Sequence, residues 1–306
     1  IIVQDERGVV KRWNPAAESI FGWAEHEVAG RISPAIRTDT QGQAARFRDL
    51  LLSGSQFSQV EAMRQRKDGS LIPVSVSSAL LRDAAGEPTG IVEMISDISE
   101  RKKDEQVQRL EHAVTRLVSE SRGLDTAMPQ LLRIMGEMCG WKYGAYWVLA
   151  EQQLRCAEVW HIDNPAIAAF ADVNRNQKSI LEMRESGILG SVWHNGAPAW
   201  ISKIEREGTG AGGRAAVALQ AGLQSAFAFP VLVSGKLYGI VEFFGSDIRA
   251  PDDALLKVST TIGTQVGEFI VRKEEESHLA YFANHDALTG LPNRAMFSQQ
   301  LAQALA

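Results

Sequence analysis

At 306 residues, with 45 per cent apolar and 23 per cent charged side chains, the chain has the composition of an ordinary folded protein and is long enough for two domains. Its net charge of -5 and its scattered basic residues leave no electrostatic footprint for nucleic acid or anionic lipid. Cys139 and Cys156 are too few for a zinc set or a disulfide framework, which fits a reducing, cytoplasmic setting, and no apolar run approaches the ~20 residues of a membrane span.

In chain order, Ile1 to Val3 reads as a short strand, Asp5 to Gly8 as a turn, and Val9, Val10 and Trp13 as a second strand. Asn14-Pro15 opens a helix that contains Phe21, because proline in a first turn forfeits no hydrogen bond. A polar turn at Glu25-His26-Glu27 and a helix over Gln43 to Leu52 follow. Arg66 to Ser70 is a hairpin turn into an alternating strand, Leu71 to Leu81, and Asp83 to Gly86 turns into a further strand, Gly90 to Ser96. Antiparallel hairpins with intervening helices make an α+β domain over residues 1–100.

Asp5, Gly8, Asn14-Pro15-Ala16-Ala17-Glu18, Phe21-Gly22-Trp23, Lys67-Asp68-Gly69-Ser70 and Asp97-Ile98-Ser99-Glu100-Arg101-Lys102 together resemble a PAS domain. The last string is similar to the motif that hands a PAS sheet to an exiting helix. Haem-binding PAS domains use a helix histidine, whereas His26 is the only histidine here and the Gln43 to Leu52 helix has none. A photoactive flavin needs a cysteine that residues 1–100 lack. Haem and photoactive flavin are therefore disfavoured, and no cofactor is identified.

From Asp104 the pattern is helical, and residues 101–123 form a connector in which Val107, Leu110, Val114 and Leu117 fall three and four apart. Two readings stay open: a parallel self-pairing seam, or an amphipathic helix lying on the next domain. Residues 124–252 form a second α+β pattern: a helix over Met128 to Cys139, strands at Tyr143 to Leu149 and Leu154 to His161, a helical turn near Gly190 to His194, and strands at Ser225 to Val233 and Tyr238 to Phe244. Gly187 to Trp193, Ala221 to Val231, Tyr238 to Phe244, and the later Gly263, Gln265, Gly267, Phe269 and Arg272 resemble a GAF domain. The fold class is thus α+β, two sensory domains each with a central antiparallel sheet flanked by helices.

Tyr146, Trp160, His161, Trp193, Arg214, Phe227 and Phe229 are the candidates for lining a small-molecule pocket in the second domain; plain core packing is the competing reading. The glycine run Gly208 to Gly213 has no Walker lysine and reads as a surface loop. His161, His194 and Cys156 lack metal-ligand spacing, and no nucleophile elbow marks a hydrolase.

Residues 253–284 read as an exit helix. Leu255, Ile262, Val266 and Phe269 define a seam for a parallel homodimer, against the alternative that this face packs on its own sheet. Residues 285–306 begin another domain: Asn284-His285-Asp286-Ala287-Leu288-Thr289-Gly290-Leu291-Pro292-Asn293-Arg294 resembles the opening of a GGDEF-type diguanylate cyclase, with Asp286 and Arg294 expected to pair. Both chain ends are expected to be boundaries within a longer protein. The resemblance implies that this region is not itself an enzyme and that it regulates cyclic di-GMP synthesis, with GTP and magnesium bound only downstream. The alternative is a phosphodiesterase or other output beyond a degenerate cyclase domain.

Overall fold

The computed structural model describes residues 1–36, 41–150, 153–176, 187–205, 214–285, 291–293 and 296. It divides into two units, Ile1–Glu105 and Gln106–Ala306.

In the first unit β1 (Ile2–Gln4) and β2 (Val10–Trp13) form a hairpin. Its turn is fixed by Asp5, whose Oδ1 accepts from the amides of Arg7 and Val9, and by Gly8 at φ +83°. Asn14 caps α1 (Pro15–Phe21) by accepting from the Ala17 amide at 3.0 Å. The polar segment Glu25–Val28 is a single helical turn, α2, and α3 spans Gln41–Leu52. Three long strands follow, β3 (Phe57–Gln65), β4 (Leu71–Arg82) and β5 (Pro88–Asp97), giving an antiparallel sheet of order β2-β1-β5-β4-β3. Val10, Trp13, Phe21, Val28, Ile72 and Val74 lie at the centre of its core.

Helix α4 (Ser99–Glu120) begins two residues after β5, where Asp97 Oδ1 accepts from the Ser99 amide at 2.8 Å. It starts five residues before the periodic pattern does, because Glu100 to Lys103 is a solvated first turn without an apolar signal. In the second unit come α5 (Leu124–Cys139), β6 (Tyr143–Ala150), β7 (Gln153–His161), α6 (Pro165–Asn176), α7 (Gly187–Asn195), β8 (Ala199–Ile201), α8 (Arg214–Gln220), β9 (Ser225–Val233), β10 (Lys236–Gly245) and α9 (Asp253–Asn284). The sheet order is β7-β6-β10-β9-β8, again antiparallel. One face is covered by α4, α5 and α9, the other by α6, α7 and α8. With both faces covered, β9 and β10 read as continuous apolar runs.

For both α4 and α9 the structure shows the second of the two readings left open, with the seam side chains packed on the protein's own domain. Leu110, Val114 and Leu117 are buried in the core of the second unit with Val107 packed beside them, and Leu255, Ile262, Val266 and Phe269 are buried as well. Six of these side chains belong to the second unit's own core, Val107 packs beside it and Phe269 is buried, so they do not form an exposed seam. Gly263 and Gly267, one turn apart, permit the approach of α9: a Cβ on Gly263 would run into the Pro230 carbonyl, and one on Gly267 would lie 2.8 Å from that of Leu232. Only the last turns of α9 carry exposed apolar side chains, Leu279 and Phe282 among them.

Candidate functional site

In the first unit α3 and the sheet enclose a cavity of about 660 Å³. Strand alternation sends Val60, Ala62 and Arg64 of β3, Val76 and Ser78 of β4, and Ile91 and Glu93 of β5 toward it. Helix α3 adds Phe47, Arg48 and Leu51. The Phe47 and Phe57 rings meet edge to face at 5.0 Å and, with Leu51, Val60 and Ile91, give the wall an apolar part.

Four of its polar groups, Gln4, Arg48, Arg64 and Glu93, are neighbours. The Gln4 amide donates to Glu93 Oε2 at 2.9 Å. Burial raises the Glu93 carboxyl above the usual glutamate range, and the nearby Arg64 charge offsets only part of that rise. Burial also lowers Arg64, with Glu93 opposing it. Beside Gly8, a Cβ would lie 2.5 Å from Arg48 Nη1 and 3.6 Å from Gln4 Oε1, so the absent side chain leaves room for the guanidinium. Among the described residues neither Arg48 nor Arg64 forms a salt bridge. Glu61, also in the wall, has its carboxylate taken by Arg101 at 2.8 Å and by Lys102.

The seven pocket candidates of the second unit are not brought together. Tyr146, Phe227 and Phe229 lie in the core under α4, α5 and α9, and Trp160 packs against that core. The Trp160 ring fills the space that a side chain at Gly136 would need. His161 Nδ1 is spent on the carbonyl of Ile162 at 2.8 Å, and Trp193 packs on the opposite face.

Arg214 lies in a buried network whose anionic member, Glu242, sequence reasoning did not single out. Its guanidinium pairs with Glu242, donates from Nε to Asn174 Oδ1 at 2.8 Å, and sits 4.8 Å from the centre of the Trp147 ring. Trp147 Nε1 donates to the same Glu242 oxygen at 2.8 Å, and Asn174 Nδ2 donates to the Tyr143 hydroxyl at 2.9 Å. Glu242 is 0 per cent exposed, and its Oε2 has no hydrogen-bond partner. Burial, the largest single influence, disfavours the Arg214 charge, but Glu242 and the neighbouring groups together outweigh it and hold the guanidinium more firmly protonated. A glutamate inside Tyr238-Gly239-Ile240-Val241-Glu242-Phe243-Phe244 was the available signal, a charge in an otherwise apolar strand.

Of the terminal motif, Asp286, Leu288, Thr289, Gly290 and Arg294 lie outside the described residues, as does the glycine run. His285 and Pro292 form an isolated antiparallel bridge, Leu291 is exposed, and the Asn293 side-chain amide donates to the Ala283 carbonyl at 2.7 Å. Among the described residues no three His, Cys, Asp or Glu side chains converge as metal ligands, and no helix is long and apolar enough to cross a membrane.

Residues 1–98 match the PAS fold and residues 121–271 match the GAF domain. Three curated relatives share shorter stretches. The signal transduction histidine-protein kinase AtoS of Escherichia coli is 29% identical over 106 residues, 35% of this chain and 17% of its own length. The sensor histidine kinase TmoS of Ectopseudomonas mendocina is 31% identical over 112 residues, 35% of this chain and 11% of its own. An uncharacterised protein of Mycobacterium tuberculosis is 41% identical over 83 residues, 27% of this chain and 13% of its own. The chain thus spans less than a fifth of each of these relatives.

Proposed function

We propose that this chain, a PAS domain followed by a GAF domain, is the non-catalytic sensory region of a larger signalling protein and that it senses a small molecule in the PAS cavity. The observation that carries the reading is the cavity itself, about 660 Å³ and lined by both apolar and polar side chains. That size and lining are those of small-molecule sites. A cytoplasmic location agrees with the two free cysteines.

For the output, the motif Asn284 to Arg294 supports a diguanylate cyclase joining two GTP into cyclic di-GMP. The names of two relatives support a second reading, a histidine kinase. Homodimerisation then rests on the end of α9, where Leu279 and Phe282 are 70 and 61 per cent exposed, and not on the seam residues packed in the second unit. The test uses the full-length parent with GTP and magnesium, and separately with ATP. Cyclic di-GMP formation supports the cyclase, histidine phosphorylation the kinase, and neither product is expected from the 306-residue chain. Ala62→Trp, which fills the cavity, should leave the parent's output unresponsive to its signal; an unchanged response would remove the PAS cavity as sensor.

A further inference from the structure

We infer that the PAS cavity takes a small organic carboxylate with an apolar body, its head group paired with the arginines of the wall. This rests on the reading of the cavity as the sensing site and adds the chemistry of the ligand. Four ionisable side chains line the space: Arg48, Glu61, Arg64 and Glu93. Glu61 contributes nothing inward, since its carboxylate is engaged by Arg101 and Lys102 at the start of α4. Glu93 is half-buried, already accepts from Gln4, and balances at most one of the two guanidinium groups.

At least one arginine therefore faces the cavity without a protein carboxylate, and a partly buried guanidinium is stabilised by an anion that reaches it. A guanidinium presents a planar fork that matches a carboxylate with two parallel hydrogen bonds. An inorganic anion would meet the arginines but leave most of the 660 Å³ and its apolar part unfilled. A neutral ligand would leave the arginine unpaired, and an ammonium would be repelled by it. The edge-to-face pair Phe47 and Phe57, with Leu51 and Ile91, offers a surface for an aryl or alkyl body.

The test compares three probes of one shape on the 306-residue chain, 4-phenylbutyrate, 4-phenylbutan-1-ol and 4-phenylbutylamine, by calorimetry and thermal shift. The carboxylate should bind roughly 10- to 100-fold more tightly than the alcohol, the range of one charge-assisted hydrogen-bond pair, and the amine should bind worst. Arg48→Gln or Arg64→Gln should bring the carboxylate down toward the alcohol while alcohol binding persists and reports a folded cavity. Ala62→Trp should abolish all binding. If the alcohol or the amine matches the carboxylate, the ligand class is wrong and the cavity still stands as a site. If none of the three binds at millimolar concentration, or if binding survives Ala62→Trp, both the class and the cavity reading fall.

Discussion

Replacing Arg214 by alanine should be among the costliest single changes in the second unit. The perturbation strands Glu242, which is 0 per cent exposed and would keep only the Trp147 indole as a donor, while its second oxygen already lacks a partner. Removing one member of a buried ion pair costs about 3–5 kcal/mol, because the remaining charge stays desolvated and uncompensated. The Asn174 bond and the Trp147 ring contact vanish in the same step. In a unit of this size 1 kcal/mol shifts the midpoint by roughly 2–4 °C, so Tm should fall by about 6–20 °C. Arg214→Lys should land between, since an ammonium cannot serve Glu242 and Asn174 with one planar fork. Arg214→Met with Glu242→Gln removes both charges, keeps an acceptor for Trp147, and should recover to within about 1–2 kcal/mol of the parent. Thermal and urea unfolding followed by far-UV circular dichroism give the comparison. A loss under about 1 kcal/mol for Arg214→Ala, or a double variant no better than the single, would refute the argument that an uncompensated carboxylate is what costs stability.

Three further outcomes are open to measurement. Glu93→Gln keeps an acceptor for Gln4; because burial raises the folded-state carboxyl above its ordinary 4.5, the parent should lose stability as pH rises from there toward the raised value, and thermal melts of the variant should lack that decline. Cys139 and Cys156 are both pushed up to about 12, chiefly by burial, with Asp252 and Glu242 adding to it respectively, so a thiol reagent at pH 8 should label neither until the second unit unfolds. Gly263→Ala should destabilise by about 1–3 kcal/mol in urea melts despite alanine's better helix propensity, because the methyl would overlap the Pro230 carbonyl; a stabilised variant would show that α9 is free to lift.

The sequence was most legible where the backbone itself dictates the signal. Asn14-Pro15, the Lys67-Asp68-Gly69 turn and the run Asp253–Asn284 mark elements by caps, turns and period, and the structure places each there. It was least legible where a short element depends on its neighbours. Strand β8 is three residues held against β9, and α8 is a seven-residue helix whose first residue is anchored by a carboxylate 28 positions later. The heptad-like spacing of α4 was read correctly as an apolar stripe, but a stripe does not say which surface it meets. The same Leu110, Val114 and Leu117 would serve a partner helix or an adjoining sheet, and only the packed core decides. The pocket candidates are divided for a related reason: aromatics on a sheet covered on both sides are shared between two cores, and period-2 alternation cannot name a cavity.

That double role of α4 gives the last prediction. Its first turn is tied to the strands that wall the PAS cavity, through Asp97 at the end of β5 and through Glu61 of β3, which holds Arg101 and Lys102. Its later turns are embedded in the core of the second unit. A ligand that shifts β3 or β5 therefore acts on the start of one continuous helix whose remainder is packed elsewhere. The ties are exposed ion pairs, individually weak and screened by salt, so they bias the helix and do not lock it. Such a bias suffices, because a ligand moves an equilibrium only by its differential affinity for the two states. Hydrogen exchange over residues 99–106 should slow when 4-phenylbutyrate is added at low salt and respond less at high salt. Replacing Arg101 and Lys102 together by glutamine frees Glu61 in the wall and should weaken binding, and at saturating ligand it should still remove the response. An unchanged response in that variant would mean that Glu61 does not couple the cavity to α4, and that the backbone connection at Asp97 alone carries the change.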